Sequence, residues 1–196
     1  MTEFILNSAG TVRDVRAPSI EAVKRVDLDF CDLDAFTQGY IEAMFFTECE
    51  PGTDADSHDP ETQSALHGEC GFADLAPEAL AHIIAQCAAF QADNATDLDA
   101  ATGLEPGSDA LRYARNTLDS ERLGNLFWYA RNGHGVTFHD DALPLQHGGA
   151  ACLYRLQDAA RKAGEAWVYL GDDGRVYHDG GFVPPAAPAA VATAEA

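Results

Sequence analysis

The chain has 196 residues, 46% of them hydrophobic, with ten Phe, six Tyr and two Trp, enough to build a core and too apolar for a disordered chain. Its formal net charge is −20, and the 86 residues between Arg25 and Arg112 hold 19 Asp and Glu and no Lys or Arg. Outside that run 13 acids meet 12 bases, so the excess is local, and a field of this sign argues against direct nucleic-acid binding.

In chain order, Phe4-Ile5-Leu6 and residues 23–30 each suit a short strand. Leu33, Phe36, Tyr40, Ile41, Met44 and Phe45 recur at helical steps, with Asp32 as the cap. Gly39 counts against that helix, since a mid-helix Gly costs ~1 kcal/mol relative to Ala. Residues 49–71 break the period and read as a long acidic loop. Asp74, Pro77 and Glu78 then start a second helix, whose buried stripe is Leu80, Ile83, Ile84, Cys87 and Phe90. Residues 94–101 suit a further helical turn, and Ser108 caps a third helix reaching Leu118, with Leu111 and Ala114 inward.

Beyond this point the pattern becomes strand-like. Residues 126–129 and 136–138 flank Asn132-Gly133-His134-Gly135, which predicts a tight hairpin with His134 exposed at its tip. Residues 151–163 form an amphipathic helix around Leu153, Leu156 and Ala160, closed by Gly164. A second hairpin joins residues 166–170 to 175–177 through Gly171-Asp172-Asp173-Gly174, its more aromatic face covered by helix 151–163. The Ala/Pro tail, 184–196, is expected to be disordered. The fold class is α+β: one domain over 1–183, with an acidic helical half (about 26–118) followed by hairpin, helix and hairpin in an antiparallel region (about 122–179).

The strings Phe127-Trp128, Arg131-Asn132-Gly133-His134-Gly135, Gly164-Glu165 and Tyr169-Leu170-Gly171-Asp172-Asp173-Gly174 resemble a group of uncharacterised proteins encoded by phages, prophages and related mobile elements. The likeness extends more weakly to residues 36–46 and 77–90, about half the chain in all. It implies a genetic context and carries over no activity and no functional residue.

Four constellations bear on function. Asp27, Asp29, Asp32 and Asp34, then Asp54, Asp56, Asp59 and Glu61, then Asp93, Asp97 and Asp99 form acidic clusters suited to a basic protein surface, in the manner of a phosphate backbone. A solvated face that serves only solubility explains the same residues. Residues 54–59 begin like an EF-hand loop, but Asp59 stands where Gly is needed at the sixth position and Ala65 where Glu is needed at the twelfth. Cys49, His58, His67 and Cys70 have ligand types suited to zinc without a paired Cys-x-x-Cys. His134, His139, Asp140, Asp141 and His147 are candidates for general acid–base work, with ordinary turn chemistry as the competing explanation.

No cofactor motif is present. The N-terminus lacks the form of a secretory signal, no apolar stretch nears the ~20 residues of a membrane span, and Cys31, Cys49, Cys70, Cys87 and Cys152 are scattered and odd in number. These features lead to an expectation of a cytoplasmic protein with reduced thiols and no membrane contact. The leading expectation is a non-enzymatic accessory protein of mobile-element type that engages a basic host partner, as a DNA mimic or an inhibitor of a defence protein. The alternatives are a small metal-dependent or His-based enzyme centred on residues 131–147, and an accessory protein whose acidity is for solubility alone.

Overall fold

Asp34 starts the first helix in a computed structural model that describes residues 28–50, 66–67 and 70–180. Its carboxylate accepts the Thr37 N–H at 3.1 Å and the Thr37 hydroxyl at 2.6 Å, opening α1, Ala35–Glu48. The cap is therefore Asp34 rather than Asp32, whose carboxylate accepts from the Asp29 N–H within a preceding 3₁₀ turn. Short strands β1, Cys49–Glu50, and β2, Leu66–His67, pair in parallel, so the expected loop over 49–71 is tied at both ends. The strands expected at 4–6 and in most of 23–30, the interior of that loop, and the 184–196 tail lie outside the described residues.

Helix α2, Pro77–Asp93, has Pro in its first turn as anticipated, but its cap is Ala76. Asp74 instead accepts the Gly71 N–H in another 3₁₀ turn. Helix α3, Ala95–Thr102, follows where the short helical turn was expected. Residues 108–118 do not form a helix. Ser108 donates its hydroxyl back to the Glu105 carbonyl instead of accepting from a first turn, and the Tyr113 N–H donates to the Asp141 carbonyl across the chain. Short helices are marginal alone, and here tertiary bonds decide; Leu111 is nonetheless buried, as expected.

The largest departure lies in 120–132. The expected strand at 126–129 is the interior of helix α4, Ser120–Asn132. Asp119 caps it by accepting the Arg122 N–H at 2.8 Å, and Gly133, at φ 70°, ends it in the left-handed region. Asn-Gly chemistry thus closes a helix rather than a primed turn, since both need the same positive φ. Leu126, Phe127 and Trp128 are all buried, which a half-covered strand with period-two alternation cannot provide. Residues 136 and 137 have no regular structure and 138–140 form a turn, so the first hairpin does not exist.

Helix α5, Ala151–Ala163, ends at Gly164 as predicted, and β3, Ala166–Leu170, pairs antiparallel with β4, Val176–Gly180, as the second hairpin. Its alternation is as expected, but the covered face is the other one, and helix α2 rather than 151–163 is what packs on β4. Ala166 and Val168 are buried, while Trp167 and Tyr169 are 62% and 48% exposed. The described residues thus form a mostly helical α+β arrangement of five α-helices with a two-stranded antiparallel sheet. No described helix is long and apolar enough to cross a membrane.

Helix α1 packs most extensively on α4, and α4 on α5, while α2 lies against β4. One hydrophobic cluster runs from Leu33 to Val176. At its centre two helix backbones touch. A Cβ on Gly39 would meet the Glu121 carbonyl, and one on Gly124 would lie 2.8 Å from the Phe36 carbonyl carbon and closer to its oxygen. The mid-helix glycine that counted against α1 is what allows α4 to approach.

Candidate functional site

The acidic clusters divide by environment. Asp29, Asp32, Asp93 and Asp99 are exposed, and no ion pair involves them among the described residues. Asp34 is a structural residue: besides capping α1 it accepts from Gln91 Nε2 at 3.1 Å, holding α1 to α2. Asp97 is engaged by Arg155, whose Nε donates to both carboxylate oxygens at 2.9 and 3.1 Å. Hydrogen bonding to that guanidinium holds the Asp97 carboxyl below the usual carboxylate range. Asp27, Asp54, Asp56, Asp59 and Glu61 lie outside the described residues.

The histidines of the catalytic candidate do not converge. His134 is exposed just past the α4 cap, its Nε2 3.6 Å from Glu48 Oε1 and its ring stacked near Trp128. Burial raises the Glu48 carboxyl, an effect that His134 partly offsets. His139 sits 3.0 Å from the Thr137 hydroxyl and stacks on Tyr154 at 4.3 Å. Asp140 accepts from the Thr137 N–H and hydroxyl, ordinary turn bonds. The Asp141 carbonyl takes the Tyr113 N–H, and His147 is exposed in a 3₁₀ turn. No hydrogen bond or ion pair joins His134 to His139, Asp140 or Asp141 among the described residues.

For the zinc set, β1–β2 pairing puts the backbones of Cys49 and His67 one register step apart; Cys70 is half-buried and His58 is outside the described residues. The described residues contain no group of three or more metal-ligating side chains.

The principal polar cluster was not anticipated. Arg131, within the region that the sequence placed in a hairpin, is 4% exposed in the last turn of α4. Its Nη1 donates to the Tyr40 hydroxyl at 2.9 Å and to Gln86 Oε1 at 2.5 Å, and its Nε to the Gly164 carbonyl at 2.8 Å. The guanidinium carbon lies 5.1 Å from the Phe127 ring centroid. Tyr40 and His178 Nε2 are 2.9 Å apart, His178 and His82 meet at 3.2 Å, and Gln86 Nε2 reaches both His82 and the Gly180 carbonyl. Burial raises the Tyr40 phenol, which therefore stays neutral. Burial first, then the charges of His82 and Arg131, pull His178 down to about 3, so it is neutral too. The network thus holds one fixed positive charge, on Arg131, and ties α1, α2, α4 and β4 together. A helical reading of 120–132 would have turned Arg131 inward, since Gly124, Phe127 and Arg131 share one stripe at three- and four-residue steps.

Beside this network a half-open cavity of about 480 Å³ lies between α2, α3, α4 and α5. Arg131, Gln86, Phe90 and Phe127 line it together with the charged Asp93, Asp97, Arg155, Asp158 and Lys162.

No protein-family model matches this chain, and no curated protein or solved structure is significantly similar to it.

Proposed function

We propose that the protein is a non-catalytic binding protein whose acidic face engages a basic protein partner, occluding it by shape and charge. The observation that carries this reading is the set of exposed carboxylates Asp29, Asp32, Asp93 and Asp99, unpaired with any described base, within a run free of Lys and Arg. Carboxylates left unpaired at a surface keep their charge for a partner and steer its approach. The resemblance to mobile-element proteins supports a host nucleic-acid-binding or defence protein as that partner, with the acidic face in the role of a phosphate backbone.

Capture from host lysate over a salt series tests this, with Asp29, Asp32, Asp93 and Asp99 changed to Lys as the comparison and duplex DNA as competitor. Exposed charges are screened beyond ~8 Å at physiological ionic strength, so capture should fall with salt. The charge-reversed protein should associate more slowly, and duplex DNA should displace the native protein from its partner. Capture that is indifferent to salt, to charge reversal and to DNA would overturn the reading.

A further inference from the structure

Arg131 presents an unusual balance of charge and bonding. A guanidinium has five N–H groups. Three of them donate at 2.5–2.9 Å to neutral acceptors: the Tyr40 hydroxyl, Gln86 Oε1 and the Gly164 carbonyl. The Nη2 edge is left with one long bond, 3.5 Å, to the Ala163 carbonyl. Ala163 and Arg131 both line the 480 Å³ cavity. No carboxylate pairs with Arg131 among the described residues, although buried charges are ordinarily paired.

The cavity offers two further kinds of surface. Phe90 and Phe127, stacked with centroids 3.9 Å apart, give it an apolar wall. Its mouth carries one cation, Lys162, and two carboxylates, Asp93 and Asp158, all on exposed residues; the remaining pair, Arg155 and Asp97, neutralise each other. A simple anion would meet a mouth of mixed sign, and a simple cation would meet a fixed positive charge at the floor. A zwitterion satisfies both.

We propose that this cavity binds a small apolar α-amino acid, its carboxylate on the Nη2 edge of Arg131, its ammonium toward Asp93 and Asp158, and its side chain along Phe90 and Phe127. A carboxylate is the acceptor that a guanidinium edge matches best, and the burial of Arg131 strengthens the pair. The volume falls within the range of small-ligand sites. The site shares Asp93 with the acidic-face reading, whose other carboxylates Asp29, Asp32 and Asp99 do not line it, and amino-acid binding is read without the protein partner, so either reading can fail alone.

Amide NMR titration of the full chain tests it, with L-leucine and L-phenylalanine as probes, each beside its deaminated carboxylic acid and its decarboxylated amine. At least one of the two amino acids should bind saturably, its plain acid more weakly, and its amine not at all. Asp93→Asn with Asp158→Asn, on exposed positions that leave the fold intact, should weaken the amino acid about tenfold and leave the plain acid unchanged. Lys162→Gln should weaken both. Arg131→Lys should abolish binding, and the mouth variants decide the matter if that protein does not fold. No saturable binding of either amino acid up to about 10 mM, tenfold beyond a weak 1 mM site, would overturn the proposal. So would an amine that binds as tightly as its amino acid, or affinities unmoved by the mouth variants.

Discussion

Replacing Gly124 by Ala sets two effects of opposite sign against each other. Helix propensity alone favours Ala over Gly by about 1 kcal/mol in a helix interior. Against this, the new Cβ would lie 2.8 Å from the Phe36 carbonyl carbon and 3.0 Å from the Tyr40 nitrogen. Carbon atoms pack at about 3.5–4.0 Å, so α1 and α4 would have to part by roughly 1 Å. Both obstructing groups are backbone and cannot rotate away. A gap of that size forfeits a quarter to a half of each affected contact, and the seam includes the buried Phe36, Tyr40, Leu123 and Phe127. It also stretches the 2.6 Å bond from Asn125 Nδ2 to the Gly39 carbonyl. Overpacking costs of this kind usually run to 1–3 kcal/mol, and with lost seam contacts the net destabilisation should be about 2–4 kcal/mol. Urea unfolding followed by the fluorescence of buried Trp128 reads it as a lowered midpoint at unchanged slope. A midpoint that rises, as propensity alone requires, would refute the close approach of the two helices.

Two further outcomes follow from single residues. Between pH 6.5 and about 3 the unfolded chain takes a proton at His178 that the folded chain does not, so its stability contribution is full above pH 6.5 and lost as pH falls through that window. The raised Glu48 carboxyl acts in the opposite direction, so the quantity to measure is the stability difference between the native protein and His178→Gln. That difference should move against the native protein by ~1.4 kcal/mol per pH unit on acidification, and parallel profiles would rule out a neutral buried imidazole. Gly133→Ala should cost about 1–2 kcal/mol in the urea midpoint, because Ala must adopt the left-handed conformation at φ 70°; an unchanged midpoint would contradict the α4 cap.

The elements with one dominant pattern were legible in the sequence. Helices α1, α2 and α5 announced themselves through apolar stripes with terminal signals, and β3–β4 through alternation around a Gly-Asp-Asp-Gly turn. Helix α4 was not, because its apolar residues run consecutively from Leu126 to Tyr129 and its terminal Asn-Gly serves hairpins and helix ends alike. That one misreading concealed the polar cluster as well. Arg131 is functional-looking only when it shares a helical stripe with Gly124 and Phe127, and its partners Tyr40, Gln86 and Gly164 are 91, 45 and 33 residues away. Such distant convergence leaves no local signature. The exposure of Trp167 and Tyr169 was equally unreadable, since alternation fixes which residues share a face and not which face meets the core.

The Tyr40–His178 contact spans 138 residues of sequence. A ribosome adding about 5–20 residues per second takes roughly 7–28 s to cover that distance, so α1 is made long before the strand that completes its surroundings. Throughout that interval the apolar face of α1, joined after residue 93 by that of α2, belongs to a nascent chain that cannot yet close its core. The lysine- and arginine-free run, with its 19 carboxylates, belongs to that waiting stretch, and a run of one sign repels its like on a neighbouring chain.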